Sequence, residues 1–248
     1  MSKGRSLARS VIRKISVMKP IVVFILSVIL VSCNAGESHK RIDNTKSISR
    51  GYAGIDVSWH QGSIDWVKAS KDFPVDCFVY IKCTEGASYQ DKNFKTYAKG
   101  AKKQGLHIGG YHYFRMTSSA HEQFKNYKNA LDVIDGDLIP MVDVETSDKR
   151  PKKDLQDSLQ VFLKLLEKEY GKMPMIYGTM RSYNTYCAPK FNSYPLYIGR
   201  YGKKAPIVNG PSHYTIWQYS ETGTIRGIEK PVDLCSFHKS KSITDILL

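Results

Sequence analysis

No CxxC pair and no HExxH run occurs in the 248 residues. Both are common ways of gathering zinc ligands, so neither a structural zinc knuckle nor a zincin-type protease site is expected, and no metal or other cofactor is required. Cysteine is scarce: Cys33, Cys77, Cys83, Cys187 and Cys235 are the whole set. Cys77 and Cys83 fall in one apolar run. Six residues of strand span about 20 Å, beyond disulfide reach, so these two read as small buried hydrophobes. A Cys187–Cys235 bridge stays open. Acid is also in short supply, with 23 Asp and Glu against 37 Lys and Arg and a formal net charge of +14.

No acid precedes Cys33. Lys3, Arg5, Arg9, Arg13, Lys14 and Lys19 lead into an apolar run from Ile21 to Val31. A cationic segment followed by so short a run has the pattern of a signal peptide, since crossing a bilayer as a helix takes about 20 residues. The run ends Leu30-Val31-Ser32-Cys33, which resembles the lipobox of bacterial lipoproteins. That resemblance implies cleavage before Cys33, acylation of Cys33 and a lipid anchor outside the cytoplasm; a plain secretory signal or short membrane anchor is the alternative. Residues 1–32 carry six of the fourteen net positive charges, leaving eight. That balance suits a cell wall or membrane surface, or is simply a solvated basic exterior. Nucleic acid is discounted as a partner for a lipid-anchored protein. Residues 33–50 are polar and aperiodic and read as a flexible tether. Residues 51–248 then form one domain, expected to be monomeric, with length enough for a single substantial core.

Eight short apolar runs recur in that domain: 52–60, 77–85, 106–114, 138–145, 173–179, 195–201, 214–220 and 232–237. Helical spacing separates the early ones, with apolar or small residues at Phe94, Tyr97, Ala98 and Ala101, then Phe124, Tyr127, Leu131 and Ile134, then Leu155, Leu159, Phe162, Leu163 and Leu166. Little room is left for helices after Thr179. The alternation predicts an α/β barrel of βα units whose last third is mostly strand.

The fourth run reads "LIPMVDVE" and ends on two carboxylates, Asp143 and Glu145. Side chains two apart on a strand share a face, so both can enter one cleft at the strand's C-terminal end, where barrel sites form. Asp56 in the first run and Asp233 in the last occupy similar settings, and first and last strands adjoin when a barrel closes. Each acid alone reads equally as a cap or half an ion pair. Together they suit glycosidic cleavage, which needs one carboxyl still protonated and a negative charge beside an oxocarbenium-like centre. Crowded like charges raise the pKa of at least one member. Tyr111, Tyr113, Tyr177, Trp217 and Gln218 add the aromatic faces and amide that sugars bind, although strand aromatics are as readily core. His112, between two tyrosines, reads as a core histidine.

At this point "GIDVSWHQGSIDW", "FVYIKCTEG", "GGYHYF", "MVDVE", "WQYSETGTIRGI" and "VDLCSF" resemble, in order, the family 25 glycoside hydrolases, the CH-type lysozymes. The resemblance covers about residues 52–237. It implies a flattened TIM-like (β/α)5(β)3 barrel and cleavage of the β-1,4 bond between N-acetylmuramic acid and N-acetylglucosamine in peptidoglycan glycan strands. Glu145 would be general acid and base and Asp143 its partner, as nucleophile or as orienter of the substrate's acetamido group. Asp56 and Asp233 would shape the charge. Substrate contacts would come from Glu85, Tyr111, Tyr113, Tyr177, Tyr197, Trp217 and Gln218. Two positions depart from the family's usual pattern: Tyr197, where tryptophan is common, and Cys235, where asparagine is. A chitinase-like barrel is the nearest enzymatic alternative, but it would carry another aspartate where Met141 stands; a non-catalytic wall-binding lipoprotein is the alternative outside enzymes. If Cys33 is the anchor, Cys33→Ala releases the protein into the soluble fraction; retention in the membrane fraction would mean an uncleaved signal instead.

Overall fold

The computed structural model describes residues 51–248. The signal peptide, the lipid site at Cys33 and the tether lie outside the described residues. Strands β1 (Gly54–Val57), β2 (Phe78–Glu85), β3 (Tyr89–Gln90), β4 (His107–Tyr113), β5 (Met141–Asp143), β6 (Met175–Thr179), β7 (Leu196–Gly199), β8 (Ile216–Gly223) and β9 (Val232–Phe237) form one sheet. Its order is β1-β9-β8-β7-β6-β5-β4-β2-β3, and β1 also pairs with β2, so eight strands close on themselves. Pairings are parallel except where β9 runs back between β8 and β1, and where β3 turns back on β2. Helices α1 (Trp66–Ala69), α2 (Phe94–Lys102), α3 (Ala120–Leu131), α4 (Lys152–Tyr170) and α5 (Met180–Ser182), the last running into a π turn at Tyr183–Cys187, follow the first five barrel strands; none follows β7 or β8. The arrangement is the expected (β/α)5(β)3 barrel.

All eight apolar runs contain a strand. The fourth is shorter than its run: Pro140 has no N–H to give the ladder, and Leu138 pairs with Leu247 instead. Glu145 therefore lies two residues past the end of β5. The ninth strand, β3, is too short for a periodicity to reveal.

Alternation divides the core in two. Phe78, Tyr80, Met141, Met175, Tyr177, Tyr197, Ile216 and Cys235 point into the barrel, and Ile246 and Leu138 plug its lower end. Their neighbours Val79, Ile81, Val142, Ile176, Leu196 and Ile198 point outward beneath the helices. Gly109 and Gly110 serve both layers. A Cβ on Gly109 would sit 2.8 Å from Leu138 and 2.9 Å from Tyr80, and one on Gly110 would sit 2.7 Å from Leu131. Helix α3 begins in a capping box between Ser119 and Glu122, and α4 ends at the left-handed Gly171. The four described cysteines are free and buried. Cys187 lies in the outer layer and Cys235 inside the barrel, so the bridge between them is absent.

His112 ties β4 to its surroundings. Gln123 gives its amide hydrogens to the carbonyls of Arg115 and Ser118, which leaves its oxygen to accept from His112 Nε2 at 3.0 Å. The bare Nδ1 then accepts from Thr84 Oγ1 at 2.7 Å. The ring is neutral, its pKa held down to about 4 by burial, and it stacks on Phe162 of α4 with centroids 5.0 Å apart. Phe162 also meets Phe114 and Tyr127. Phe162→Ala is expected to cost about 3–5 kcal/mol of unfolding free energy in a denaturant titration, because helix α4 and the β4 network cannot both collapse into the space.

Candidate active site

The strand-end layer above the aromatic floor is polar. Asp56 (β1), Lys82 (β2), Tyr111 and Tyr113 (β4), Asp143 (β5), Tyr177 (β6), Gln218 (β8) and Asp233 (β9) face inward. With Ser58, His60, Met141, Glu145 and Tyr201 they line a cavity of about 260 Å³. The four acids thus meet in one place.

Asp56 and Asp233 sit directly opposite each other in the antiparallel β1–β9 pair, on the same face. Their carboxyls are within hydrogen-bonding reach. Asp56 Oδ2 also accepts from Tyr197 Oη at 2.5 Å and Gln218 Nε2 at 2.9 Å. Burial raises the pKa of Asp56, opposed by these hydrogen bonds to its charged form. Burial and then the charge of Asp56 raise Asp233. Burial and their closeness therefore disfavour ionising both acids together.

Asp143 lies deeper, on the wall. Burial first, then the charge of Glu145, pushes its pKa well up, and Lys82 opposes them. Its Oδ1 is buried with no hydrogen-bond partner among the described residues. Glu145 is more open. Burial raises its pKa and the charge of Asp56 adds to the rise, whereas a hydrogen bond with Tyr113 and the charge of Lys82 lower it. Val144 between them is fully buried in the outer layer. The wall therefore carries a deep carboxyl short of a donor and a shallower one biased towards its protonated form. Among the described residues no group of three or more His, Cys, Asp or Glu side chains is arranged to hold a metal ion.

Three expected substrate contacts lie elsewhere. Trp217 precedes Gln218, which faces in, so alternation turns the indole outward, where Nε1 donates to Arg200 O at 2.6 Å between Tyr214 and Tyr219. Tyr197 faces in but one layer down, fully buried beneath Asp56. Glu85 ends β2 beside the cavity and pairs with Lys82 at 2.8 Å and Arg115 at 3.6 Å; it bears on the site by steadying Lys82. Conversely, Ser58, His60, Lys82, Met141 and Tyr201 were not singled out from sequence. Lys82 had a signal: it is the charged residue two after inward-facing Tyr80 in an apolar run, and its ammonium sits 5.2 Å from the Tyr113 ring.

Comparison with known families decides the relationship. The model of "Glycosyl hydrolases family 25" matches residues 55–228. The chain belongs to glycosyl hydrolase family 25. As a family 25 member it is a glycoside hydrolase. Its relatives include the uncharacterized protein YegX of Escherichia coli K12, 36% identical over 188 residues, covering 75% of this chain and 69% of that protein. An autolytic lysozyme of Clostridium acetobutylicum is 32% identical over 184 residues, 74% of this chain and 55% of that one. Among solved structures, a family 25 glycosyl hydrolase from Bacillus anthracis superposes with a TM-score of 0.68 at 30% identity, over 82% of this chain and 95% of that one. A muramidase from Trichobolus zukalii gives 0.65 at 30%, over 75% and 92%.

Because Asp143, Glu145 and Asp233 have folded-state pKa values above their unfolded ones, their neutral forms favour the fold, and that stability is lost as pH rises through the folded values. Asp143→Asn removes one such loss. Its melting temperature relative to wild type is expected to rise as the pH increases above the ordinary carboxylate range. A pH-independent difference would show that Asp143 does not ionise against a penalty.

Proposed function

We propose that this family 25 hydrolase cleaves the β-1,4 bond between N-acetylmuramic acid and N-acetylglucosamine in peptidoglycan, with retention at the anomeric carbon and participation of the substrate's acetamido group. The observation that carries the reading is the pairing of Asp143, buried with an oxygen lacking a donor, and Glu145, more open and biased towards its acid form. Glu145 donates its proton to the glycosidic oxygen as that bond breaks. The acetamido oxygen of the same sugar closes on the anomeric carbon, and Asp143 Oδ1 accepts the acetamido N–H; that donor supplies its missing partner and favours the ionised carboxylate, whose charge offsets the positive charge on the ring so formed. Water then opens that ring, losing a proton to the Glu145 carboxylate, and the acid is restored. A nucleophilic Asp143 is less well supported, because an attacking carboxylate does not need a donor at its buried oxygen.

The names of relatives support the substrate: an autolytic lysozyme, a lysozyme M1 of Streptomyces globisporus and an N,O-diacetylmuramidase of Arthroderma benhamiae. The same proposal places the protein outside the cytoplasm, lipid-anchored through Cys33, where its substrate is found.

Glu145→Gln is expected to lower reducing-end release from purified peptidoglycan by about a thousandfold or more, with the melting temperature retained. Mass spectrometry of the wild-type digest identifies the new reducing sugar. Muramic acid supports the proposal; glucosamine at that end would make the enzyme a glucosaminidase.

A further inference from the structure

We propose that Tyr197, backed by Cys235, is a positioning residue that holds Asp56 as the fixed anion of the site and leaves Asp233 to carry the proton the two acids share. The inference rests on the assignment of Glu145 as the general acid.

The donors converge from below. Tyr197 is fully buried, and its hydroxyl lies 2.5 Å from Asp56 Oδ2 while also meeting Cys235 Sγ. A phenol whose proton is given to the carboxylate can accept from the thiol, so S–H, O–H and carboxylate form a short relay aimed at Asp56. A second relay reaches the same oxygen. Tyr177 Oη donates to Gln218 Oε1 at 2.8 Å, which fixes the amide so that Nε2 faces Asp56 at 2.9 Å. Cys235 Sγ itself stands 3.6 Å from Oδ2. Among the described residues Asp233 has no comparable set of donors, and Glu221 adds repulsion to that of Asp56 there. With donors gathered at one acid and not at the other, the charge settles on Asp56.

That charge adds to what burial does along the rest of the wall. Across the cavity, Asp143 on β5 and Glu145 just beyond it are repelled by Asp56, and Lys82 on β2 acts against that repulsion. The phenols Tyr111 on β4 and Tyr177 on β6 are kept neutral by burial and by the acids. A fixed anion at Asp56 thus helps Glu145 keep its proton, although Tyr197 touches neither Glu145 nor the cavity.

The test is the pH profile of kcat/KM for reducing-end release. Tyr197→Phe weakens the anion, so the Asp56–Asp233 pair takes up its second proton at higher pH. The negative charge facing Glu145 is then lost, and Glu145 gives up its proton at lower pH. The basic limb is expected to move down by about half a pH unit or more. Cys235→Ala, acting through the phenol, should move it in the same direction by less. A uniform loss of rate with an unmoved limb would make Tyr197 a packing residue and overturn the inference. In the wild type, that limb should vanish on Glu145→Gln; if it does not, the assignment of the acid fails first. Should Tyr197→Phe not fold, or the limb prove not to belong to Glu145, the 13Cγ shift of Asp56 in the wild-type protein decides. A carboxylate at neutral pH with Asp233 protonated supports the inference, and a protonated Asp56 overturns it.

Discussion

Four carboxyl groups are withdrawn from water at the mouth of this barrel, with a single lysine among the described residues that line it. Burial does most to raise the pKa of Asp56, Asp143, Glu145 and Asp233 alike. Charges treated in this way either find donors or keep their protons. Asp56 finds donors in Tyr197 and Gln218, the pKa of Asp233 is pushed up by burial and by Asp56, Glu145 finds one phenol, and Asp143 Oδ1 finds no partner among the described residues. The chemistry of the site follows from that ranking. The least satisfied oxygen is the one a substrate amide can satisfy, and the more open acid of the Asp143–Glu145 pair is the one that can protonate a leaving oxygen.

The fold was legible because its signals are long. Each barrel strand sits in an apolar run bounded by polar residues, and the α4 row Leu155, Leu159, Phe162, Leu163 and Leu166 is fully buried as its spacing requires. The acids were legible for another reason: a carboxylate at the end of an apolar run is costly, so its presence asks for an explanation. Contacts one layer away from the mouth were harder. Trp217 and Gln218 are adjacent letters, yet a one-residue step in a strand exchanges cavity for exterior. Tyr197 has the right face but the wrong height, which depends on how the tilted strands are staggered around the barrel and is not written in any single strand. Ser58, His60 and Tyr201 stand just beyond strand ends, where two-residue periodicity has already stopped.

Tyr197 and Cys235 also show how departures from a family's usual residues can be paired. They lie on strands that do not adjoin each other, with β8 between them, and meet only inside the barrel. Read singly, each looks like the loss of a substrate contact. In the structure they are one arrangement beneath one aspartate, and the groups that face the cavity are left in place above it.

The return direction of β9 has a consequence for how the enzyme comes into being. Asp56 is bonded to Gln218, 162 residues later, and faces Asp233 on a strand that can dock only after β8 is made. During synthesis, the first acid, the Asp143–Glu145 pair and most of the wall are complete while the seam of the cylinder is still unsewn. A ribosome-bound or prematurely terminated chain that lacks β9 therefore has the catalytic letters without their electrostatic frame. For a protein able to cut cell wall, potency arrives with the last stitch of the barrel.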